Sequence, residues 1–331
     1  MTCCDLAAHR RLEVGLALVA EGDLAGAVSV FEQALEMAPD WPEAHFALAD
    51  ALHAAGRRDE AVAAYAAYLA RDPADVMGAA IRLALLGAAP QPERLPEAYV
   101  KTLFDQYAPR FEESLIGHLA YRAPFQLRAA LDAVAPTAGP CGRVLDLGCG
   151  TGLAGEALRN RAAWLEGVDL SPGMIEQAQR KGIYDRLEVA DALIALGAAN
   201  DRFDIIVAAD VVTYLGNLEP LLAAARRALV PGGVIAFSAQ RAGGDGFVLG
   251  GDHRYSHSAA YLRATAEAAG FKIERLDDAV CRTEKGADVP GLIVVLGDRP
   301  AAANGVIVAP ATAFGQQDTP GGPKTPLVRP H

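Results

Sequence analysis

Cysteine is scarce in this chain of 331 residues, which holds five in all. They stand at positions 3, 4, 141, 149 and 281, an odd number without any C-x-x-C spacing. That argues against a disulfide framework or a zinc ribbon and fits a reducing cytoplasm with no metal site. Long apolar runs are missing too. No stretch approaches the roughly 18 residues that a membrane span needs. The opening "MTCCDLAAHRRLEVG" has an acid at position five and no apolar core before its arginines, so no secretory leader is read there. Positive charge is in short supply, with 30 Lys and Arg against 41 Asp and Glu and a net charge of −11. A protein that tracks nucleic-acid phosphates needs a basic stripe, and none is present. The expectation is a soluble cytoplasmic protein with neither nucleic acid nor membrane as its partner.

What the chain does contain begins with a repeat. Residues 8–41 and 42–75 align at an offset of 34: Gly22 falls on Gly56, Ala27 on Ala61, Phe31 on Tyr65 and Pro39 on Pro73. Each unit reads as two amphipathic helices split at the glycine and closed by the proline, which cannot continue a helix. The alanines let helices approach and the aromatics fill the gap between units. This pattern resembles the tetratricopeptide repeat, although the first helices lack its tryptophan. "VMGAAIRLALLG" (76–87) reads as a capping helix that covers the apolar end of the stack. The repeat domain is placed at 1–87. Its short concave surface suits either a protein partner or packing alone.

Residues 88–98 carry several prolines and no periodicity, as an inter-domain linker would. In "YVKTLFDQYAPRFEESL" (99–115), Phe104, Tyr107 and Phe111 recur at spacings of three and four, which predicts an apolar helix face bent at Pro109. "YRAPFQLRAAL" (121–131) reads as another helix. From 143 onward, strand-like and helix-like segments alternate: 143–148, 164–170, 187–191, 203–210 and 232–239, with a last strand at 292–297. Such alternation predicts an α/β domain over 99–298 with a parallel, doubly wound sheet, whose ligands bind outside the carboxyl ends of the strands. Acids recur at those ends, at Asp146, Asp169, Asp191 and Asp210. Residues 299–331, rich in Ala, Pro and Gly, read as a disordered tail.

The first strand runs into "RVLDLGCGTGLAG" (143–155), with four glycines in eight residues. A dinucleotide fingerprint needs G-x-G-x-x-G and an acid about 20 residues on. Starting at Gly148 its third glycine is replaced by Leu153. Starting at Gly150 the pattern fits, but Asp169 then comes early.

The other frame, D-x-G-x-G-x-G from Asp146 through Gly148, Gly150 and Gly152, resembles the first motif of class I S-adenosylmethionine-dependent methyltransferases. "GVDLSPGMIEQAQRKG", "VADAL" and "ADVVTYLGNLEPLLAAARRALVPGGVIAFS" resemble, in order, the later segments of that family. With the repeats, the layout is similar to bacterial TPR-containing methyltransferases. The resemblance implies a Rossmann-like seven-stranded methyltransferase sheet behind an all-α repeat domain, with S-adenosylmethionine as cofactor. It also implies that Asp146 and the three glycines cradle the cofactor, that Asp169, Leu170 and Met174 sit at the ribose, and that Asp191 and Ala192 sit at the adenine. Asp210 closes the set, and Tyr107 belongs to a helical lid. The residue types suit a cofactor bearing a cation and several hydroxyls, since carboxylates accept from donors and glycines let backbone approach.

The fourth strand ends in "ADVVTY", without the [DN]-P-P-[YFW] signature of nitrogen methylases that act on bases or side-chain amides and without a Pro-Cys pair, so a nucleobase acceptor is not expected. In residues 240–271, glycines at 243, 244, 246, 250 and 251 read as a flexible insertion that runs into a helix, with His253, Arg254, Tyr255 and His257 before that helix and Ser256 or Ser258 as its cap. His253, His257 and Tyr255 are the candidate catalytic groups, and Arg254 and Tyr214 the candidate substrate contacts. The expected reaction is in-line methyl transfer to a small or carrier-bound organic acceptor. The alternatives are a protein acceptor recruited by the repeats, or an adaptor that keeps the cofactor fold as a relic.

Overall fold

Five helices open the chain: α1 (Cys3–Glu21), α2 (Leu24–Met37), α3 (Pro42–Ala54), α4 (Arg58–Arg71) and the short α5 (Ala79–Leu85). The computed structural model describes residues 3–112, 120–135, 140, 142–284 and 286–298. Gly22 and Gly56 turn the chain between paired helices at φ 86° and 75°, where a Cβ would be strained. Asp23 caps α2 by accepting from the Gly26 amide at 2.9 Å. Phe31, Tyr65 and Tyr68 are fully buried among Ala27, Ala34, Ala49 and Ala61, so small residues bring the helices together around large ones. Phe46 meets Tyr65 and Tyr68 edge-on at 5.6 and 5.3 Å. The buried Asp75 carboxylate accepts the amides of Ala79 and Ala80 and starts the capping helix α5.

Next come α6 (Glu97–Tyr107), a 3-10 turn at Ala108–Arg110 that contains Pro109, and α7 (Ala123–Val134). The sheet domain alternates β1 (Arg143–Leu147), α8 (Leu153–Leu158), β2 (Trp164–Asp169), α9 (Pro172–Lys181), β3 (Arg186–Val189), α10 (Ala192–Gly197), β4 (Phe203–Ala208), α11 (Glu219–Ala228) and β5 (Leu229–Arg241). It ends with β6 (Phe247–Leu249), β7 (Tyr255–His257), α12 (Ala259–Ala268), β8 (Lys272–Glu284) and β9 (Ala287–Gly297). The parallel strands run in the order β3-β2-β1-β4-β5, β9 pairs antiparallel with β5, and β8 pairs antiparallel with β9 outside it.

The period-two rule sorts the core. Val144, Val234 and Ala236 face a cluster with Leu127, Leu131 and Leu158 of α7 and α8. Their neighbours Leu145, Leu147, Ile235 and Phe237 face the opposite cluster, with Leu196, Leu222 and Leu262 of α10, α11 and α12. Helices thus cover both faces.

The seven strands β3-β2-β1-β4-β5-β9-β8 form the expected sheet, and the glycine-rich insertion adds two more among the described residues, folding into the β6–β7 hairpin that joins the end of β5. The strand read at 292–297 is the inner half of β9, whose partner β8 carries "KIERLDDAVCRTE". That polar, half-exposed sequence hides its period, as sheet-edge strands do when charges and bulges guard them.

The proline-rich segment is anchored rather than loose. Leu95 donates to the Tyr214 carbonyl at 3.0 Å, Gly216 to the Glu93 carbonyl at 2.8 Å, and Leu249 to Gln91 Oε1 at 3.0 Å. The Tyr255 hydroxyl donates to the Pro92 carbonyl. Ile81 of α5, Leu95, Leu249 and Tyr255 form one apolar cluster across the junction. The tail read at 299–331, residues 113–115 of the lid and Cys141 lie outside the described residues.

Gly15 of α1 packs against Phe31 so closely that an added Cβ would lie 2.8 Å from the ring's Cζ. Gly15→Ala gains about 1 kcal/mol of helix propensity but overpacks the repeat core by about 1–3 kcal/mol. We expect a lower thermal midpoint; an unchanged or higher one would show that the Phe31 ring moves freely.

Candidate active site

A cleft opens at the carboxyl ends of β1, β2 and β4, where the strand order reverses direction between β1 and β4. Its floor is the loop Gly148–Thr151. Gly148 and Gly150 hold φ of 65° and 52°, and Gly150 has only Phe111 near the position of a Cβ, at 3.6 Å. The backbone is therefore open toward the cleft at Gly150, whereas a Cβ on Gly148 would collide with Val211.

Asp146 does not line it. Its carboxylate is fully buried beneath the loop and accepts the Tyr184 hydroxyl at 2.6 Å. Burial pushes its carboxyl up to about 7, against the opposing effect of that hydrogen bond. The Tyr184 ring fills the space over three glycines. A Cβ on Gly167 would lie 2.8 Å from the ring, one on Gly152 3.1 Å, and one on Gly155 would collide with the hydroxyl. Gly155, the third glycine of the apparent dinucleotide fingerprint, is thus accounted for by Tyr184.

Asp169 lines the cleft, its oxygens accepting the amides of Gly150 at 2.8 Å and Ser171 at 2.9 Å. Burial raises its carboxyl above the ordinary range. Leu170 lies beside it, while Met174 is fully buried in α9 behind the wall. Asp191 caps α10 through the Leu193 amide at 2.9 Å and pairs with Arg94 at 2.9 Å; Ala192 shares its wall. Gly152 sits at the start of α8 and does not line the cleft. Tyr107 is largely exposed on the outer side of α6. The lid is pinned instead by Asp105, which accepts the Ser171 hydroxyl at 2.5 Å and the Gly173 amide at 3.2 Å.

On the β4 side, Asp210 stands at φ 60° and pairs with Arg254 at 3.0 Å. Arg254 lies over the Tyr214 ring at 5.6 Å, and all three line the cleft. The candidate bases do not. His257 is fully buried, with Nε2–H donating to the carbonyls of Leu215 and Gly216 at 2.9 and 3.2 Å. Burial lowers its pKa to about 4. His253 faces the repeats, bonded to Arg82 and, at 3.0 Å, to the Tyr99 hydroxyl. Tyr255 is buried against Leu95. The expectation that these three surround the acceptor is corrected: β7 turns Tyr255 and His257 inward, and α5 captures His253. Ser258, not Ser256, caps α12 by accepting from the Tyr261 amide.

Sequence reading missed Arg94, Tyr121 and Thr151, which line the cleft, and Arg282, which reaches Asp210 from β8. Thr151 stood inside the glycine motif and was open to notice. The others carry no local signal. Among the described residues no cluster of His, Cys, Asp and Glu has the arrangement of a metal site, and no helix is long and apolar enough to cross a membrane.

Residues 145–237 match the family model of a methyltransferase domain, and residues 18–85 that of a tetratricopeptide repeat. The human methyltransferase-like protein 27 is 35% identical over 113 residues, 30% of this chain and 46% of that protein. A ubiquinone biosynthesis O-methyltransferase of Azorhizobium caulinodans is 30% identical over 152 residues, 40% of this chain and 60% of that protein. The chain thus spans about half the length of the curated relatives it matches. Among solved structures, the magnesium protoporphyrin IX methyltransferase of Synechocystis PCC 6803 with bound SAH aligns over 61% of this chain and 98% of its own, at 18% identity and a TM-score of 0.48.

Two outcomes follow from the buried groups. His257 has a folded pKa below its unfolded value of about 6.5, so the stability it confers is present above that value and is lost as pH falls toward 4. We expect its ring resonances to stay those of the neutral form down to about pH 5, with on the order of 3 kcal/mol of stability lost across the window. A midpoint near 6.5 would contradict this. Tyr184→Phe removes the donor to Asp146 and should cost about 1–3 kcal/mol in urea denaturation; an unchanged midpoint would show that the contact carries no weight.

Proposed function

We propose that this chain, a methyltransferase-domain protein with N-terminal tetratricopeptide repeats, binds S-adenosylmethionine in the cleft and methylates a small or carrier-bound organic acceptor. The observation that carries this reading is the convergence of the open-backbone loop Gly148–Thr151 with Asp169 and Asp191 in a single cleft. The residues suit the cofactor. Thr151 Oγ1 is buried at the cleft wall with no hydrogen-bond partner of good geometry among the described residues, and Gly150 presents backbone toward the cleft with only Phe111 near it. The Asp169 oxygens each take one amide and keep lone pairs for hydroxyl donors, as Asp191 does for an amino group.

When bound, S-adenosylmethionine supplies a methyl group activated by a sulfonium. The chain's part is alignment, which is worth up to about 7–11 kcal/mol in favourable cases. Phe104 and Phe111 pack edge to face at 6.0 Å over the cleft and keep water from it. Tyr121, Tyr214 and Arg254 hold the acceptor. A general base is required only where the attacking atom starts protonated, and no imidazole role is proposed for His253 or His257. Because α6 and residues 94–95 roof the cleft, a small acceptor fits this reading better than a protein recruited by the repeats.

Calorimetry with S-adenosylmethionine and S-adenosylhomocysteine should give saturable binding. Asp169→Ala should weaken it by at least about tenfold, since a charge-assisted bond contributes about 1.5–3 kcal/mol. No binding by the wild type would sink the enzyme reading. Undiminished binding by the variant would sink the role of Asp169.

A further inference from the structure

The charged groups that line the cleft sort by strand. Asp169 and Asp191, with Arg94 and Glu97, stand at the β2–β3 side; Asp210 and Arg254 stand at the β4 side. Asp210 is shared. Its Oδ2 accepts from Arg254 Nη1 at 3.0 Å, while its Oδ1 lies 3.4 Å from Nη1 of Arg282, a side chain only 4% exposed. Arg282 also donates to Gln240 at 2.9 Å. The other acid nearby, Asp252, points away from the cleft: it takes the Gln240 amide and Arg254's backbone N–H at 3.2 Å each, and lies 3.9 Å from Arg282. One carboxylate thus serves Arg254 at the cleft face and the buried Arg282 behind it. Nε and Nη2 of Arg254 have no partner among the described residues.

The guanidinium is also fixed in place. Tyr214 lies under it, and the preceding residue His253 holds φ 56°, a conformation that non-glycine residues keep only when their surroundings impose it. Those surroundings come from the repeat domain and from α6. Arg82 of α5 bonds His253 and pairs with Asp50 of α3 at 3.5 Å, and Tyr99 holds the other ring nitrogen. Around the guanidinium the walls are flat and apolar. Phe104 meets Tyr214 at 5.3 Å and 87°, with Phe111, Tyr121 and Val100 completing the lining.

Resting on the methyl-transfer reading, we propose that the acceptor is a planar aromatic molecule bearing a carboxylate, which Arg254 receives. A preorganised guanidinium with two free donors matches a carboxylate in a two-point bond, and aromatic walls meeting edge to face accommodate a ring better than a puckered body. A neutral acceptor would leave those donors half-desolvated and unpaired.

The test uses the full-length protein saturated with S-adenosylhomocysteine and three probes followed by NMR titration: 2-naphthoate, 2-naphthamide and decahydro-2-naphthoate. We expect 2-naphthoate to bind at least tenfold tighter than the amide and at least fivefold tighter than the saturated acid. Arg254→Gln should abolish the preference for the acid over the amide, and Arg254→Lys should keep only part of it; melting curves establish that each variant folds. Equal binding of acid and amide by the wild type, or a preference that survives Arg254→Gln, overturns the carboxylate. Equal binding of the planar and saturated acids overturns the ring. The wild-type comparisons decide on their own if a variant does not fold. Failure to bind S-adenosylhomocysteine at all would instead strike the methyl-transfer reading.

Discussion

A carboxylate stripped of water has to find a donor, and Asp146, near the end of β1, finds the hydroxyl of Tyr184. Much of the site depends on that contact. To reach Asp146, the Tyr184 ring must pass over β2 and the start of α8, and it does so only because Gly152, Gly155 and Gly167 have no side chains. The glycine-rich run therefore answers two demands. Gly150 leaves backbone bare toward the cleft, whereas Gly152 and Gly155 leave room for the tyrosine behind it. A pattern that looks like one motif is two sets of glycines with different neighbours.

The second constraint is the seam between helices and sheet. Residues 91–95 run beside the β4 end and the β6–β7 hairpin, exchanging backbone and side-chain hydrogen bonds with both. Through Arg82 and His253 the capping helix reaches the residue next to Arg254. The repeats thus contact the segment that carries Arg254 without lining the cleft themselves. A helical module that only tethered a partner would have no need of such contacts.

Much of this was legible in the sequence. The 34-residue repeat, the strand positions from β1 to β5 and the acids at Asp169, Asp191 and Asp210 follow from periodicity and strand-end chemistry, which are local. β8 was not legible, because its charged, half-exposed sequence lacks the apolar alternation that marks a covered strand. The hairpin was hidden by glycines that read as flexibility. His253 and His257 were grouped with Arg254 because they are close in sequence. His253 turns at φ 56° toward α5 and His257 is buried in β7, so proximity along the chain placed them in one site where the fold separates them. Arg94, Tyr121 and Arg282 arrive from distant segments, and nothing in their own surroundings announces the cleft.

Ile81 belongs to the repeat cap yet lies buried with Leu95, Leu249 and Tyr255. Any genetic exchange that replaced the repeats at their proline-rich border would tear one side from that cluster, and the hairpin beside Arg254 would lose its backing. A graft that respects the fold must carry the strap and the hairpin with the cap. The other end of the helical array carries no such tie among the described residues. There α1 leaves Leu6, Val14, Leu16 and Val19 exposed, away from the cleft.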